Sequence, residues 1–474
     1  MELKGQSRRR AVGLAVLAAI YFAIQWLLPR PAGVEPQSWR LLGIFAATIA
    51  GLILQPLPGG ALVLIAITLA ALFGGLSAAQ ALSGYAEPTV WLVMAALFIS
   101  DALIKTGLAR RIALLFVRAV GSTSLGICYA LAATDMALAG IIPSNAARSG
   151  GVVLPVARSI AELYGSKPGE TAGVLGGFLV AGIYQSICIT TAMFYTGQAS
   201  NPLVARMATE TFHVPVTMLS WFRACIVPGL CSLAVVPLLV YRMHPPKIRR
   251  TPEASSFAAS ELRGMGPMKR GELTVLGVFA GVCGLWATTP LHGLDISITA
   301  LAGAAALLAF GVLKWEDVAG NRAAWDIFIW YGGLVRLGKA LNDAGLTQEF
   351  AKLVSGLLGG GGWVVLLGCA LAIYFYAHYG YASITSHIMA MYVPFTAVMI
   401  AKGAPPGLAV FAFACATNLA AGLTHYGTTP APMFYSVGYV SFRNWWSIGF
   451  AASLVNLAIW CTVGFGWWKL IGIW

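Results

Sequence analysis

Hydrophobic runs of about 17 to 25 residues, parted by short polar breaks, recur along the chain. Each is long enough to cross roughly 30 Å of hydrocarbon as an α-helix. The runs are continuous rather than alternating, which excludes barrel strands. The pattern predicts helix one at about 11–28, helices two and three at about 40–55 and 59–75, and helix four at about 88–108. Helices two and three meet at the turn Gln55-Pro56-Leu57-Pro58-Gly59-Gly60. Between about 122 and 164 the apolar stretch is interrupted by Pro143-Ser144-Asn145-Ala146-Ala147-Arg148, and neither arm spans comfortably. That predicts a re-entrant hairpin with its tip at 144–147. Helix five, about 170–210, is broken near 197–202, and helix six covers about 216–242. A basic segment, 244–272, contains a loop-like stretch at 251–260. Helices seven, eight and nine follow at about 273–290, 296–313 and 324–341. A second hairpin, about 361–398, has its tip at 383–387; helix ten, about 405–437, is broken at 424–432. Helix eleven, about 446–470, ends among Trp467, Trp468 and Trp474, which suit an interfacial anchor.

The two halves repeat one another. An offset of 239 positions lays Ser144 on Ser383, Ala146 on Thr385, Arg148 on His387 and Pro155 on Pro394. Downstream the offset becomes 230, where Thr196-Gly197-Gln198-Ala199-Ser200-Asn201-Pro202 meets Tyr426-Gly427-Thr428-Thr429-Pro430-Ala431-Pro432. Five full crossings separate the hairpins, so the second enters from the opposite side and the repeat is inverted. Paired broken hydrophobic segments in two halves point to the substrate site of a secondary transporter.

With 58% hydrophobic and 10% charged residues, most of the chain belongs in a bilayer. The formal charge of +13 is then a matter of topology rather than of nucleic acid. Lys4, Arg8, Arg9 and Arg10 place the amino terminus in the cytoplasm, and about 20 of the 30 Lys and Arg residues fall on that side. The eight cysteines stand singly in apolar runs, as packing residues do, and no cofactor or metal site is expected. No cleavable signal or transit peptide is evident, which favours a bacterial cytoplasmic (inner) membrane.

At each tip and each break a half-helix starts inside the membrane with free backbone N–H groups. Asn201 before Pro202 and Thr429 before Pro430 read as an N-cap followed by proline; Ser144, Asn145, Ser383 and Thr385 suit capping or ligand contact. Four converging helix starts present roughly two positive charges, the complement of a dicarboxylate. Arg148 or a protonated histidine adds charge, and Gly197 and Gly427 permit backbone turns. Asp101 and Asp135 suit structural roles. No HExxH, Gly-x-Ser-x-Gly or paired-aspartate motif supports an intramembrane enzyme, and nothing favours an anion channel.

These features, over nearly the whole length, resemble the divalent anion/sodium symporter (DASS) family, most of all its bacterial citrate, tartrate and succinate antiporters and plastid 2-oxoglutarate/malate translocators. The marks are Ser144-Asn145-Ala146-Ala147-Arg148, Ala382-Ser383-Ile384-Thr385, and Thr424-His425-Tyr426-Gly427 followed by Tyr435 and Gly438-Tyr439. The resemblance implies an all-α elevator-type transporter, about 11 transmembrane helices plus two re-entrant hairpins, acting as a homodimer. Residues 1–120 and 273–360 would form a static scaffold, 121–242 and 361–474 the mobile transport domain, and 243–272 a cytoplasmic linker.

The substrate residues it implies are Ser144, Asn145, Ala146, Ser383, Thr385, Thr196, Gly197, Thr424, His425, Gly427 and Thr428, with Arg148, His387 and Asn201 behind them. The family carries Ser-Asn-Thr at both tips. Here the first reads Ser144-Asn145-Ala146 and the second Ser383-Ile384-Thr385. Isoleucine in place of an amide oxygen weakens a sodium shell, so the expectation is sodium-independent exchange of di- or tricarboxylates, with His425 partly replacing the cation's charge. Sodium- or proton-coupled symport on the same fold is the alternative.

Overall fold

A computed structural model describes residues 2–31, 34–140, 142–346, 349, 352 and 362–474. Among these the chain is helical, and the one extended pairing is a bridge between Thr123 and Arg250. The expected boundary between residues 360 and 361, where the second hairpin begins, lies outside the described residues.

Ten described helices have the length and composition to cross a membrane. Two of them, Trp363–Gly380 and Ile384–Ala401, are the arms of the second hairpin. Adding the shorter apolar helices Gly59–Phe73 and Ile296–Ala309 and the more charged Arg322–Asp343 to the other eight gives eleven candidate crossings among the described residues. Ser124–Ala139 and Leu154–Leu163 form the arms of the first hairpin.

The helices pack as two groups. In the flanking group, Pro36–Leu54 lies against Glu2–Leu27, Gly59–Phe73 against Arg322–Asp343, and Pro88–Thr106 against Ile296–Ala309. The tip group is centred on Gly176–Met193, every residue of which is buried, and on Pro406–Ala420. A helix buried along its whole length needs neighbours on every side. Here Met218–Met243 and Ser124–Ala139 cover the first, and Trp363–Ala377 covers the second. The halves join where Tyr184 Oη donates to Ala421 O (2.6 Å) and Gln185 Nε2 to Gly422 O (2.9 Å).

Two amphipathic helices, Leu108–Val120 and Pro252–Met265, pack together between the groups. The second replaces the loop expected at 251–260. Pro252 starts it with a fixed φ, and Arg110 holds Glu261 at 2.7 Å. Beside it Arg111 makes a two-pronged pair with buried Glu272.

The repeat extends to backbone detail. Each tip helix runs through one π turn, Ser149–Val153 in the first half and Ile388–Tyr392 in the second, before continuing as α-helix. Pro155 and Pro394 follow two residues after each turn and lack the N–H that would continue the i→i−4 ladder, so the helix widens there.

Candidate functional site

Both tips and both breaks meet at one cavity of about 660 Å³. Ser144, Asn145 and Ala146 line it from the first tip, Ser383 to Ser386 from the second, Gln198 to Ser200 from the first break, and Thr428 and Thr429 from the second. Ser144 is the N-cap of its helix, its Oγ accepting from Ala147 N at 3.1 Å, whereas Ser383 makes no such cap. The tips are tied crosswise: Asn145 Nδ2 donates to Thr428 Oγ1 (3.1 Å), and Thr385 Oγ1 bonds Ser200 Oγ (2.6 Å). Each tip therefore bonds to the break of the other half, and these small polar groups face one space.

The remaining candidates stand behind this lining. Thr196 Oγ1 donates to Ala139 O at 3.0 Å. Asn201, expected as an N-cap, lies inside the helix Ser200–Phe212 and donates to Thr191 O and Phe194 O. Its Oδ1 accepts from Asn418, which also bonds Gln198. Thr429 occupies an N-cap position without a side-chain cap bond. Thr424 is buried and its Oγ1 has no hydrogen-bond partner among the described residues. His425 is turned away: its Nδ1 accepts from Trp446 Nε1 at 3.2 Å, and its ring packs among Tyr426, Tyr435 and Phe442.

Gly197 ends the short 3-10 turn Tyr195–Gly197 and Gly427 lies in a bend, neither of them in the left-handed region. Close approach is what calls for glycine at both. A Cβ on Gly197 would stand 2.3 Å from Thr191 O, and one on Gly427 would stand 3.0 Å from both Ala421 O and His378 Nε2.

Arg148 is fully buried and makes four hydrogen bonds. Its Nε meets Asp135 Oδ1 at 2.9 Å, Nη1 donates to Ile142 O (2.7 Å) and Gly197 O (2.8 Å), and Nη2 reaches Thr191 Oγ1. Thr190 donates to the other oxygen of Asp135. The guanidinium thus clamps the first tip to the first break from behind the cavity. His387 holds the equivalent place in the second half. His378 Nε2 lies 2.9 Å from Gly427 O, which can only accept, so that nitrogen carries the proton. His378 Nδ1 then accepts from His387 Nδ1 at 3.0 Å. His378 escaped the sequence reading because its partner at Gly427 is 49 residues away.

The flanking group supplies the opposite wall, which the sequence reading did not anticipate. Gln55 to Gly59 contribute from the turn between the second and third crossings, and Ala323, Asp326, Ile327, Trp330 and Leu334 from one face of Arg322–Asp343. Steps of three and four residues put these five side chains together. Gln55, the C-cap of its helix, has φ 49°, an uncommon conformation for a side-chain-bearing residue. Among the described residues no group of three or more His, Cys, Asp or Glu is placed to hold a metal ion.

Residues 9–474 match the family described as "Sodium:sulfate symporter transmembrane region". The chain is 43% identical to the "Putative malate transporter YflS" of Bacillus subtilis, covering 99% of this chain and 98% of that one. It is 41% identical to "Dicarboxylate transporter 1, chloroplastic" of Arabidopsis thaliana (95% and 82%). It is 30% identical to the "L-tartrate/succinate antiporter" of Escherichia coli (97% and 98%). Among solved structures, the Alcanivorax borkumensis YdaH transporter shares the fold, with a TM-score of 0.53 at 17% identity over 83% of this chain and 88% of that one.

Proposed function

Because this chain belongs to the sodium:sulfate symporter transmembrane family, we propose that it exchanges di- or tricarboxylates across the membrane without sodium, by an elevator movement. Relatives named as malate, dicarboxylate and tartrate/succinate transporters support the substrate class. The carboxylates bind among Ser144, Asn145, Ser383, Thr385 and Thr428, where four helix starts offer N–H groups and positive dipole ends.

One observation carries the choice of exchange over sodium symport. In a broken-helix transporter the unwound carbonyls coordinate the sodium ion. Here one carbonyl at each break is already bonded to a side-chain donor: Gly197 O accepts from Arg148, and Gly427 O from His378. A built-in guanidinium and an imidazole N–H occupy places that a cation's oxygen shell would use, and Ile384 adds no oxygen at the second tip. The empty site retains its positive dipoles in a low-dielectric interior, which disfavours return without an anion.

In this reading the tip group travels with its substrate and the flanking group stays fixed. The two meet through few polar contacts, such as Ser386 Oγ to Leu52 O and the pair of Arg206 with Glu87. With the amino terminus cytoplasmic, the turn at Gln55 and the start of Arg322–Asp343 lie on the cytoplasmic side, and the cavity is reached from there. The protein works as a homodimer in a bacterial inner membrane.

The deciding experiment is labelled succinate uptake into proteoliposomes, with and without internal dicarboxylate and with and without sodium. Uptake that requires internal anion and ignores sodium is expected. Sodium-driven uptake into empty vesicles would overturn exchange in favour of symport.

A further inference from the structure

The cavity has a single ionisable side chain on its described walls, and it is a carboxylate. Asp326 lies on the flanking wall, on a helix face otherwise formed by Ala323, Ile327, Trp330 and Leu334. It is exposed, and it faces the space that the tips enclose. Its carboxylate lies close against the backbone of Gly60, at the start of Gly59–Phe73. A Cβ on Gly60 would come within 2.5 Å of Asp326 Oδ1 and would push the carboxylate aside, so glycine leaves it room there.

Size does not select the substrate. A volume of about 660 Å³ falls within the roughly 300–1,000 Å³ of pockets that hold much larger ligands, so a six-carbon tricarboxylate fits as readily as a four-carbon dicarboxylate. Charge distinguishes them. The helix starts at tips and breaks can take two carboxylates, whereas a third carboxylate on a short acid has to point towards the remaining wall. That wall offers apolar side chains and one carboxylate, and beside a protein surface like charges repel more strongly than in bulk water.

We propose that Asp326 is a specificity determinant that makes this a dicarboxylate site by repelling a third carboxylate from the flanking wall. The proposal rests on the transport reading above and narrows its substrate class. It also assigns the wall a part in selection although it holds no bond to the bound dicarboxylate.

The test is competition by unlabelled succinate and unlabelled citrate against labelled succinate exchange in proteoliposomes at pH 7.5, where citrate is mainly a trianion. In the wild type, citrate is expected to compete about tenfold more weakly than succinate, the scale of one screened charge pair. Asp326→Asn keeps the size of the side chain and removes its charge, and is expected to narrow the difference to about twofold while leaving succinate itself within about twofold. The same ratio is read from thermal stabilisation of the purified protein by each acid, so a variant that binds but does not cycle still answers. A ratio unchanged in Asp326→Asn, or a wild type that treats both acids alike, overturns the proposal. A wild type that neither exchanges nor is stabilised by succinate sinks the transport reading, and this proposal with it.

Discussion

In the first repeat the tip is held to its break by a guanidinium; in the second the same joint is a pair of imidazoles. Arg148 and His387 are related by the 239-residue offset, and both lie behind the cavity one turn into the tip helix. Arg148 reaches Gly197 O directly and needs Asp135 to balance its charge, with Thr190 and Thr191 completing the shell. His387 is too short for that span, so His378 relays it to Gly427 O. Asp135 is matched by Tyr374, whose hydroxyl bonds Thr417 instead of an ion. Inverted halves thus preserve backbone positions while the chemistry diverges. One joint is built on a buried ion pair and the other on uncharged rings.

The largest expected effect breaks the ionic joint. Arg148→Ala leaves Asp135 buried without its counter-charge, and removing one partner of a buried pair costs about 3–5 kcal/mol. His387→Ala leaves one imidazole acceptor unmet and costs about 1–3 kcal/mol. Denaturant unfolding of the purified protein in detergent measures both. Replacing the pair together, Arg148→Met with Asp135→Asn, is expected to recover a large part of the loss, since no unpaired charge remains. Equal costs for the two single variants would mean that the joints do not differ as their chemistry implies.

A smaller effect comes from the tips, where the repeats are more alike. Ser144→Ala removes a cap and a hydroxyl facing the cavity; Thr385→Ala removes the hydroxyl that bonds Ser200. Each hydrogen bond to a carboxylate is worth about 1.5–3 kcal/mol, so the half-saturation concentration for succinate exchange should rise about tenfold or more in each variant. Normal transport by both would remove these tips from the substrate site. A rise in Ser144→Ala alone would show that only the first tip binds.

The eleven crossings, both hairpins and the four helix starts were legible because polar residues interrupt apolar runs twice, at matching positions. What lies across the cavity was not. Gln55 read only as part of a turn, and Asp326 and Trp330 as ordinary members of a crossing helix, because no periodicity along a chain records which distant helix stands opposite. The same limit explains the histidines. His425 was singled out for its neighbours in sequence, yet it packs into an aromatic cluster, while His378, unremarked in an apolar run, makes the joint. The helix Pro252–Met265 read as a loop because its order comes from packing on Leu108–Val120 rather than from a strong apolar stripe.

The smallest effect tests where the repeats differ beyond their breaks. Arg206, on the helix after the first break, holds Glu87 of the flanking group at 2.6 Å and Glu210 at 2.7 Å. Its counterpart by the 230-residue offset, Ser436, bonds only within its own helix, to Met433 O. The first half is therefore tethered to the flanking group at a point where the second is not. The hydrogen bond from Arg206 holds the Glu87 carboxyl below the usual value of 4.5, outweighing the opposing effect of burial. A lowered carboxyl stabilises the fold fully above its ordinary value, and that contribution fades as pH falls through the lowered one. Because the pair is partly exposed, its worth is about 1 kcal/mol or less. Melting temperatures of wild type and Glu87→Gln should accordingly differ slightly at pH 7 and converge as the pH falls well below the ordinary value of 4.5, whereas Ser436→Ala should match the wild type throughout. A gap between wild type and Glu87→Gln that persists in acid would mean that the glutamate acts through packing, and that charge does not set the first half's tether apart.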